Sequence, residues 1–115
     1  MQTFNSDGVS IAYFDLPGPR EDAEPVLLIH GFASNTKVNW VDTGWVTELA
    51  GAGYRVIGID NRGHGQSEKL YGIEDYGAPL MAEDARRLLD HLAIPRAHVI
   101  GYSMGARIAA FLALA

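Results

Sequence analysis

Short apolar runs alternate with amphipathic stretches along most of the chain. Pro25-Val26-Leu27-Leu28-Ile29 is continuously apolar and is closed by His30-Gly31. Such a run suits a strand buried on both faces. Tyr54 to Asp60 and Ala97 to Tyr102 repeat the pattern. Two helix candidates separate these strands. The first, from Val41 to Ala52, sets Val41, Trp45, Leu49 and Ala52 on one stripe. Gly53 follows it, where a C-terminal cap glycine belongs. The second starts near Pro79, which suits a first helical position. It is expected to bury Met81, Ala85, Leu88 and Leu92, to carry Glu83 and Asp84 in its first turn, and to stop at Pro95. From Met104 the chain reads as helix to its last residue. Near the N-terminus, Gln2 to Asn5 and Val9 to Phe14 flank the turn signal Ser6-Asp7-Gly8 and predict a hairpin. Leu16 to Glu24 and Asn61 to Tyr76 read as loops.

Apolar strands separated by amphipathic helices mean βαβ units and a mostly parallel sheet, here with an N-terminal hairpin. The fold class is therefore α/β. In such sheets chemistry gathers at the carboxyl ends of the strands. Three ends carry unusual residues: His30-Gly31-Phe32, Asp60 to Ser67, and Gly101 to Gly105.

Composition narrows the function classes. With 115 residues, the chain has room for one core and one domain. Its 48% hydrophobic and 20% charged residues are those of a globular protein. A net charge of −5 without a basic run argues against nucleic acid as a partner. No apolar run approaches the ~18 residues needed to cross a bilayer, and no basic amphipathic helix is present, so no membrane partner is expected. Cysteine is absent, which removes a thiolate nucleophile, a disulfide frame and a Cys-ligated zinc. Cytoplasm is the default compartment. Met1 to Phe14 lacks the basic and apolar regions of a signal peptide. No metal cluster and no cofactor motif is visible, so neither is expected. Gly63-x-Gly65 is followed by Glu68 rather than a third glycine and opens no helix, which removes a dinucleotide reading.

Gly101-Tyr102-Ser103-Met104-Gly105 is a G-x-S-x-G sequence. A buried strand precedes it and a helix follows, the context of a nucleophile elbow. The sharp turn strains the serine backbone and crowds its neighbours, so glycines flank it. Ser103 then sits at the positive end of a helix. The Met104 N–H points at an anion forming on a substrate carbonyl. A second donor can come from the loop after Ile29. Gly31 permits close backbone approach there, and the Phe32 N–H is the candidate. Taken alone, His30-Gly31 also fits a plain strand-ending turn.

The chain resembles the N-terminal part of an α/β-hydrolase. Leu28 to Phe32, Ile59 to Ser67, and Gly101 to Gly105 carry the resemblance, in the family's order and across nearly the whole chain. The resemblance implies a partial α/β-hydrolase domain over residues 1–115. It implies Ser103 as nucleophile and the Phe32 and Met104 backbone amides as an oxyanion hole, with His30 and Gly31 shaping that loop and Gly101 and Gly105 supporting the elbow. It argues against epoxide hydrolases and haloalkane dehalogenases, whose elbow nucleophile is an Asp. It gives Asp60 and Arg62 structural parts in ion pairs and turn hydrogen bonds. His64 is not read as the catalytic base, because the family's base comes from a later loop.

The expected function is a serine hydrolase acting on a small-molecule acyl substrate: an ester, thioester or lactone. A serine hydroxyl needs a base, and the base an orienting carboxylate. The family order is serine, then acid, then histidine. No His, Asp or Glu follows Ser103, and His30, His64, His91 and His98 all precede it. The C-terminal helix is strongly apolar and has no stop signal. Ala97 to Tyr102 is expected to be an open sheet edge. The chain therefore reads as the N-terminal portion of a longer hydrolase. Three missing βα units would need about 90 residues. Two rivals remain open: a non-catalytic binding protein on the same scaffold, and a fragment that completes its sheet with a second chain. Phe32, Trp40, Trp45, Tyr71 and Tyr102 are candidates for an acyl or aromatic pocket or for ordinary core.

Overall fold

A computed structural model of the chain describes residues 1–114. Strands β1 (Gln2–Ser6) and β2 (Val9–Leu16) form the expected hairpin. Its two turn residues, Asp7 and Gly8, take φ values of 49° and 92°, the doubly positive pattern that matches the twist of a tight hairpin. Strands β3 (Pro25–Ile29), β4 (Arg55–Ile59) and β5 (His98–Gly101) complete a five-stranded sheet of order β1-β2-β4-β3-β5. β4, β3 and β5 run parallel, while β2 runs antiparallel to β1 and β4. The register decides where the chemistry falls. Ile29 lies opposite both Ile59 and Gly101. The three parallel strands therefore end in one row, and the loops beginning at His30, Asp60 and Tyr102 leave the sheet side by side.

Side chains alternate between the two faces of the sheet. Leu27, Ile29, Ile57 and Ile59 pack with Met81, Ala85 and Leu88 of α2 (Ala78–His91) and Ile108 of α3 (Met104–Ala113). Val26, Leu28 and Val56 pack on the other face with Trp40 and with Val46, Leu49 and Ala50 of α1 (Trp45–Gly51). Helices thus cover both faces, as a sheet with doubly buried strands requires.

Several local expectations need correction. The first helix begins at Trp45, not Val41. Lys37–Val41 forms a π-helical turn in which the Asp42 N–H donates to the Lys37 carbonyl at 2.8 Å. Gly44, at φ 91°, separates that turn from α1. The break resets the helical phase, so Val41, Trp45, Leu49 and Ala52 do not share a buried face; Val41, Trp45 and Ala52 are exposed. Glu83 and Asp84 lie beyond the first turn of α2, because it starts at Ala78, and Asp84 is buried. Leu92 caps α2 and is only partly buried. The strands β4 and β5 are each shorter at both ends than the apolar runs. β5 stands at one edge of the sheet, so it is only partly buried, with His98 exposed, and is not the doubly buried strand that its apolar run predicts. The final helix extends through Ala113, and the expected helical state of residue 115 lies outside the described residues. No described helix is long and apolar enough to cross a membrane.

Candidate active site

Ser103 stands between β5 and α3 at φ 55° and ψ −115°. That combination is outside the regions a side-chain-bearing residue populates freely. The turn is closed by the Gly105 N–H donating to the Tyr102 carbonyl at 2.8 Å and the Ala106 N–H donating to the Ser103 carbonyl at 3.0 Å. A Cβ on Gly101 would run into the Gly105 backbone, and one on Gly105 into the Ile29 carbonyl. Both glycines are therefore needed for α3 to start this close to the ends of β5 and β3. Ser103 itself is exposed. The Met104 N–H opens α3 and has no hydrogen-bond partner among the described residues, as expected for a first-turn amide.

The loop after β3 is built around His30, which is fully buried. Its Nδ1 lies 2.7 Å from the Gly31 carbonyl, and its Nε2 accepts the Asn61 N–H at 2.9 Å. A carbonyl only accepts and an N–H only donates. The ring is therefore neutral, with its proton on Nδ1. Burial pushes the His30 pKa below its ordinary value, and the Gly31 hydrogen bond offsets this only in part. The peptide between Gly31 and Phe32 is planar and trans. By holding the Gly31 carbonyl, His30 turns the Phe32 N–H the opposite way. That N–H has no partner among the described residues. The loop also comes close to the elbow: a Cβ on Gly31 would sit 3.3 Å from the Tyr102 ring and 3.5 Å from the Ser103 Cβ.

Phe32 and Met104 help line a cavity of about 520 Å³, together with His64, Tyr76 and Met81. Phe32 is 76% exposed and forms part of the rim. Among the other aromatics, Trp40 is core at 3% exposure, while Tyr71 is 94% exposed. Trp40, Trp45 and Tyr102 line a separate, smaller cavity of about 310 Å³. The five aromatics thus do not form a single pocket.

Asp60 and Arg62 hold the third loop. The Asp60 carboxylate accepts the Thr36 N–H at 2.9 Å and the Gln66 N–H at 3.0 Å. Arg62 makes a two-point contact with Asp84, at 2.7 and 2.9 Å, and donates to the Asp75 carbonyl at 2.9 Å. Those hydrogen bonds to Asp84 push the Arg62 pKa further up. His64 follows on the same loop. Its Nδ1–H donates to the Arg62 carbonyl at 2.9 Å, and its ring stands edge-on to Phe32. His91 is exposed at the end of α2 and stacks on Phe4, and His98 is exposed beside Glu24. Among the described residues no group of three His, Asp or Glu is placed to hold a metal ion.

One participant escaped the sequence reading. The Asn39 Oδ1 accepts the Gly31 N–H at 2.8 Å. Asn39 is the central residue of the π-helical turn, and from there its side chain reaches the loop. No periodicity announces such a turn.

Known proteins place the chain. The sequence model of the alpha/beta hydrolase fold family matches residues 24–115. An AB hydrolase superfamily protein of Bacillus subtilis, YfhM, is 33% identical over 97% of this chain and 37% of its own length. Epoxide hydrolase B of Mycobacterium tuberculosis is 35% identical over 79% of this chain and 25% of its own length. The solved structure of Est816, described as an N-acyl homoserine lactone degrading enzyme, superposes with a TM-score of 0.82 at 32% identity, over 98% of this chain and 40% of that one. The chain therefore spans two fifths or less of each of these proteins. With its parallel strands ending in one row and a strained serine leading into a helix, the chain belongs to the alpha/beta hydrolase fold family and makes up the N-terminal portion of that fold.

Proposed function

We propose that this chain is the nucleophile-bearing part of a serine hydrolase that cleaves an ester, thioester or lactone through an acyl-enzyme. One observation carries the reading: Ser103 is held in a strained turn, and two backbone N–H groups without partners among the described residues, Phe32 and Met104, sit on the adjoining segments. The Ser103 Oγ attacks the carbonyl carbon and gives up its proton to a base. The carbonyl electron pair moves onto its oxygen, where the two N–H groups receive it. Each such donor is worth about 3–4 kcal/mol in the transition state. Collapse of the intermediate breaks the carbonyl's bond to the leaving oxygen or sulfur, which takes up the proton; an ester or thioester releases an alcohol or thiol, and a lactone opens to a hydroxyl that stays on the acyl chain. Water then attacks the acyl-enzyme and frees the acid, regenerating Ser103.

A hydroxyl at the elbow suits carbonyl attack. The likeness to a lactone-degrading enzyme supports this substrate class, whereas the likeness to an epoxide hydrolase supports only the common fold and family. The small-molecule substrate enters through the cavity beside Phe32 and Met104. Residues 104–115 contain no His, Asp or Glu. The reading assigns the base and its carboxylate to residues outside this chain, and the isolated chain should turn over very little.

The test compares the native protein carrying this chain with its Ser103→Ala variant on a p-nitrophenyl ester, a thioester and a lactone. The expected loss is about 10⁴- to 10⁶-fold in kcat with an unchanged melting temperature. Turnover that survives the substitution would overturn the assignment.

A further inference from the structure

We propose that Asn39 is a positioning residue of the oxyanion loop: by holding the Gly31 N–H it fixes the direction of the Phe32 N–H. The proposal rests on the reading of Ser103 and Phe32 given above. Gly31 has no side chain to anchor it and has the widest backbone freedom of any residue. Phe32, next along, is largely exposed, and Ala33 takes φ 58°. The loop's own side chains therefore restrain it little after His30. Its hydrogen bonds do so instead, one peptide plane at a time. In the His30–Gly31 peptide, the carbonyl receives the Asn61 Nδ2–H at 3.4 Å and the N–H goes to Asn39 at 2.8 Å. In the Gly31–Phe32 peptide, the carbonyl receives the His30 Nδ1–H at 2.7 Å and the Ser34 N–H at 3.3 Å. Three of the four polar groups are bound, and the fourth is the Phe32 N–H.

Asn39 is itself well held. Its N–H donates to the Asn35 carbonyl at 3.0 Å, and the Thr43 hydroxyl donates to its carbonyl at 2.6 Å. Its neighbour Trp40 is buried in the core against Val26, Leu28 and Val56. A π-helical turn is a rare winding that recurs at functional positions, and here it carries the acceptor to the loop. The same bond engages the Gly31 N–H, so the oxyanion site presents two donors rather than three. Without the acceptor, the His30–Gly31 peptide keeps only the long Asn61 contact and is held less firmly. The Phe32 N–H, still turned by the bonds on the Gly31 carbonyl, then shifts with the loosened peptide before it, and small displacements at the transition state cost rate.

The test pairs amide exchange with kinetics, both on the native protein that carries this chain. Asn39→Leu removes the acceptor at similar volume, and Asn39→Asp keeps it. Asn39→Leu should speed hydrogen exchange of the Gly31 amide about tenfold, while the Leu27 and Ile57 amides stay protected. With p-nitrophenyl acetate it should lower kcat about tenfold to hundredfold and leave KM unchanged. Asn39→Asp should restore Gly31 protection and most of kcat. The proposal fails if Gly31 exchange is unmoved in Asn39→Leu, if it rises with kcat intact, if KM absorbs the loss, if the sheet amides open together with Gly31, or if Asn39→Asp rescues neither reading. Ser103→Ala separates the two layers. Turnover surviving in Ser103→Ala would sink the serine mechanism, while the Gly31 exchange response would still decide the Asn39 clamp.

Discussion

Arg62 and Asp84 meet through two hydrogen bonds, Nε to Oδ2 at 2.7 Å and Nη2 to Oδ1 at 2.9 Å, with the Asp84 side chain wholly removed from solvent. The Ser6 hydroxyl donates to the same carboxylate at 2.6 Å. One buried acid thus ties the hairpin, the loop carrying Gly63 and His64, and α2. Asp84→Ala would leave Arg62 as an uncompensated charge with little access to water. We expect it to cost about 3–5 kcal/mol, read as a lower midpoint in urea. The double variant Asp84→Leu with Arg62→Met should lose less than Asp84→Ala alone. A loss below about 1 kcal/mol for Asp84→Ala, the range of exposed pairs, would mean the contact does not hold these elements.

His30 sets a pH dependence. Burial lowers its pKa from the ordinary 6.5. Below that value the unfolded chain binds a proton that the folded chain refuses. Unfolding then takes up protons, and stability falls as pH falls. The contribution is complete above pH 6.5 and is lost progressively from there down to the lowered folded value. Melting temperatures at pH 7.5 and 5.5 should therefore drop more for the native chain than for His30→Asn. Equal drops would show that His30 does not titrate differently on folding.

Gly105 is needed for space. A Cβ there meets the Ile29 backbone carbonyl, which cannot swing aside as a side-chain tip can. Gly105→Ala should cost about 1–3 kcal/mol. Gly51→Ala, where a Cβ meets nothing within 4 Å, is the matched control. If both variants melt together, α3 does not lie as close to β3 as described.

Ser103 stores strain. Residues held in such backbone regions cost about 1–3 kcal/mol, and glycine relieves the steric part. Ser103→Gly should melt above Ser103→Ala by about 1 kcal/mol equivalent, even after the extra chain entropy glycine loses on folding. The reverse order would mean that the turn is relaxed with a side chain in place.

Much of this architecture was legible before any coordinates. The apolar runs at Val26–Ile29 and Val56–Ile59 are long, β-rich and closed by turn residues, so local pattern and tertiary burial agree. Gly101 to Gly105 could be read because the glycines answer a spacing demand that few other turns make. The start of the first helix could not be read. Val41, Trp45 and Leu49 have helical spacing, yet a π-helical turn and Gly44 shift the phase between them. Asp84 was also opaque. On α2 it looks like a helix-start charge, and its buried partners, Arg62 and Ser6, come from 22 and 78 positions earlier. Asn39 was hidden for the same reason: its role depends on a contact that the winding of the chain creates. The family resemblance supplied the order of the three loops, and the register that aligns Ile29 with Ile59 and Gly101 gave the physical reason they converge.

The central claim is that Ser103 carries the acyl group. The most direct measurement is peptide mass spectrometry of the native protein carrying this chain, quenched in acid during turnover of p-nitrophenyl acetate. An acetyl group is expected on Ser103 in the peptide spanning Gly101 to Gly105, absent from Ser103→Ala. Turnover without that adduct, or an acetyl group carried on a different residue during turnover, would contradict it.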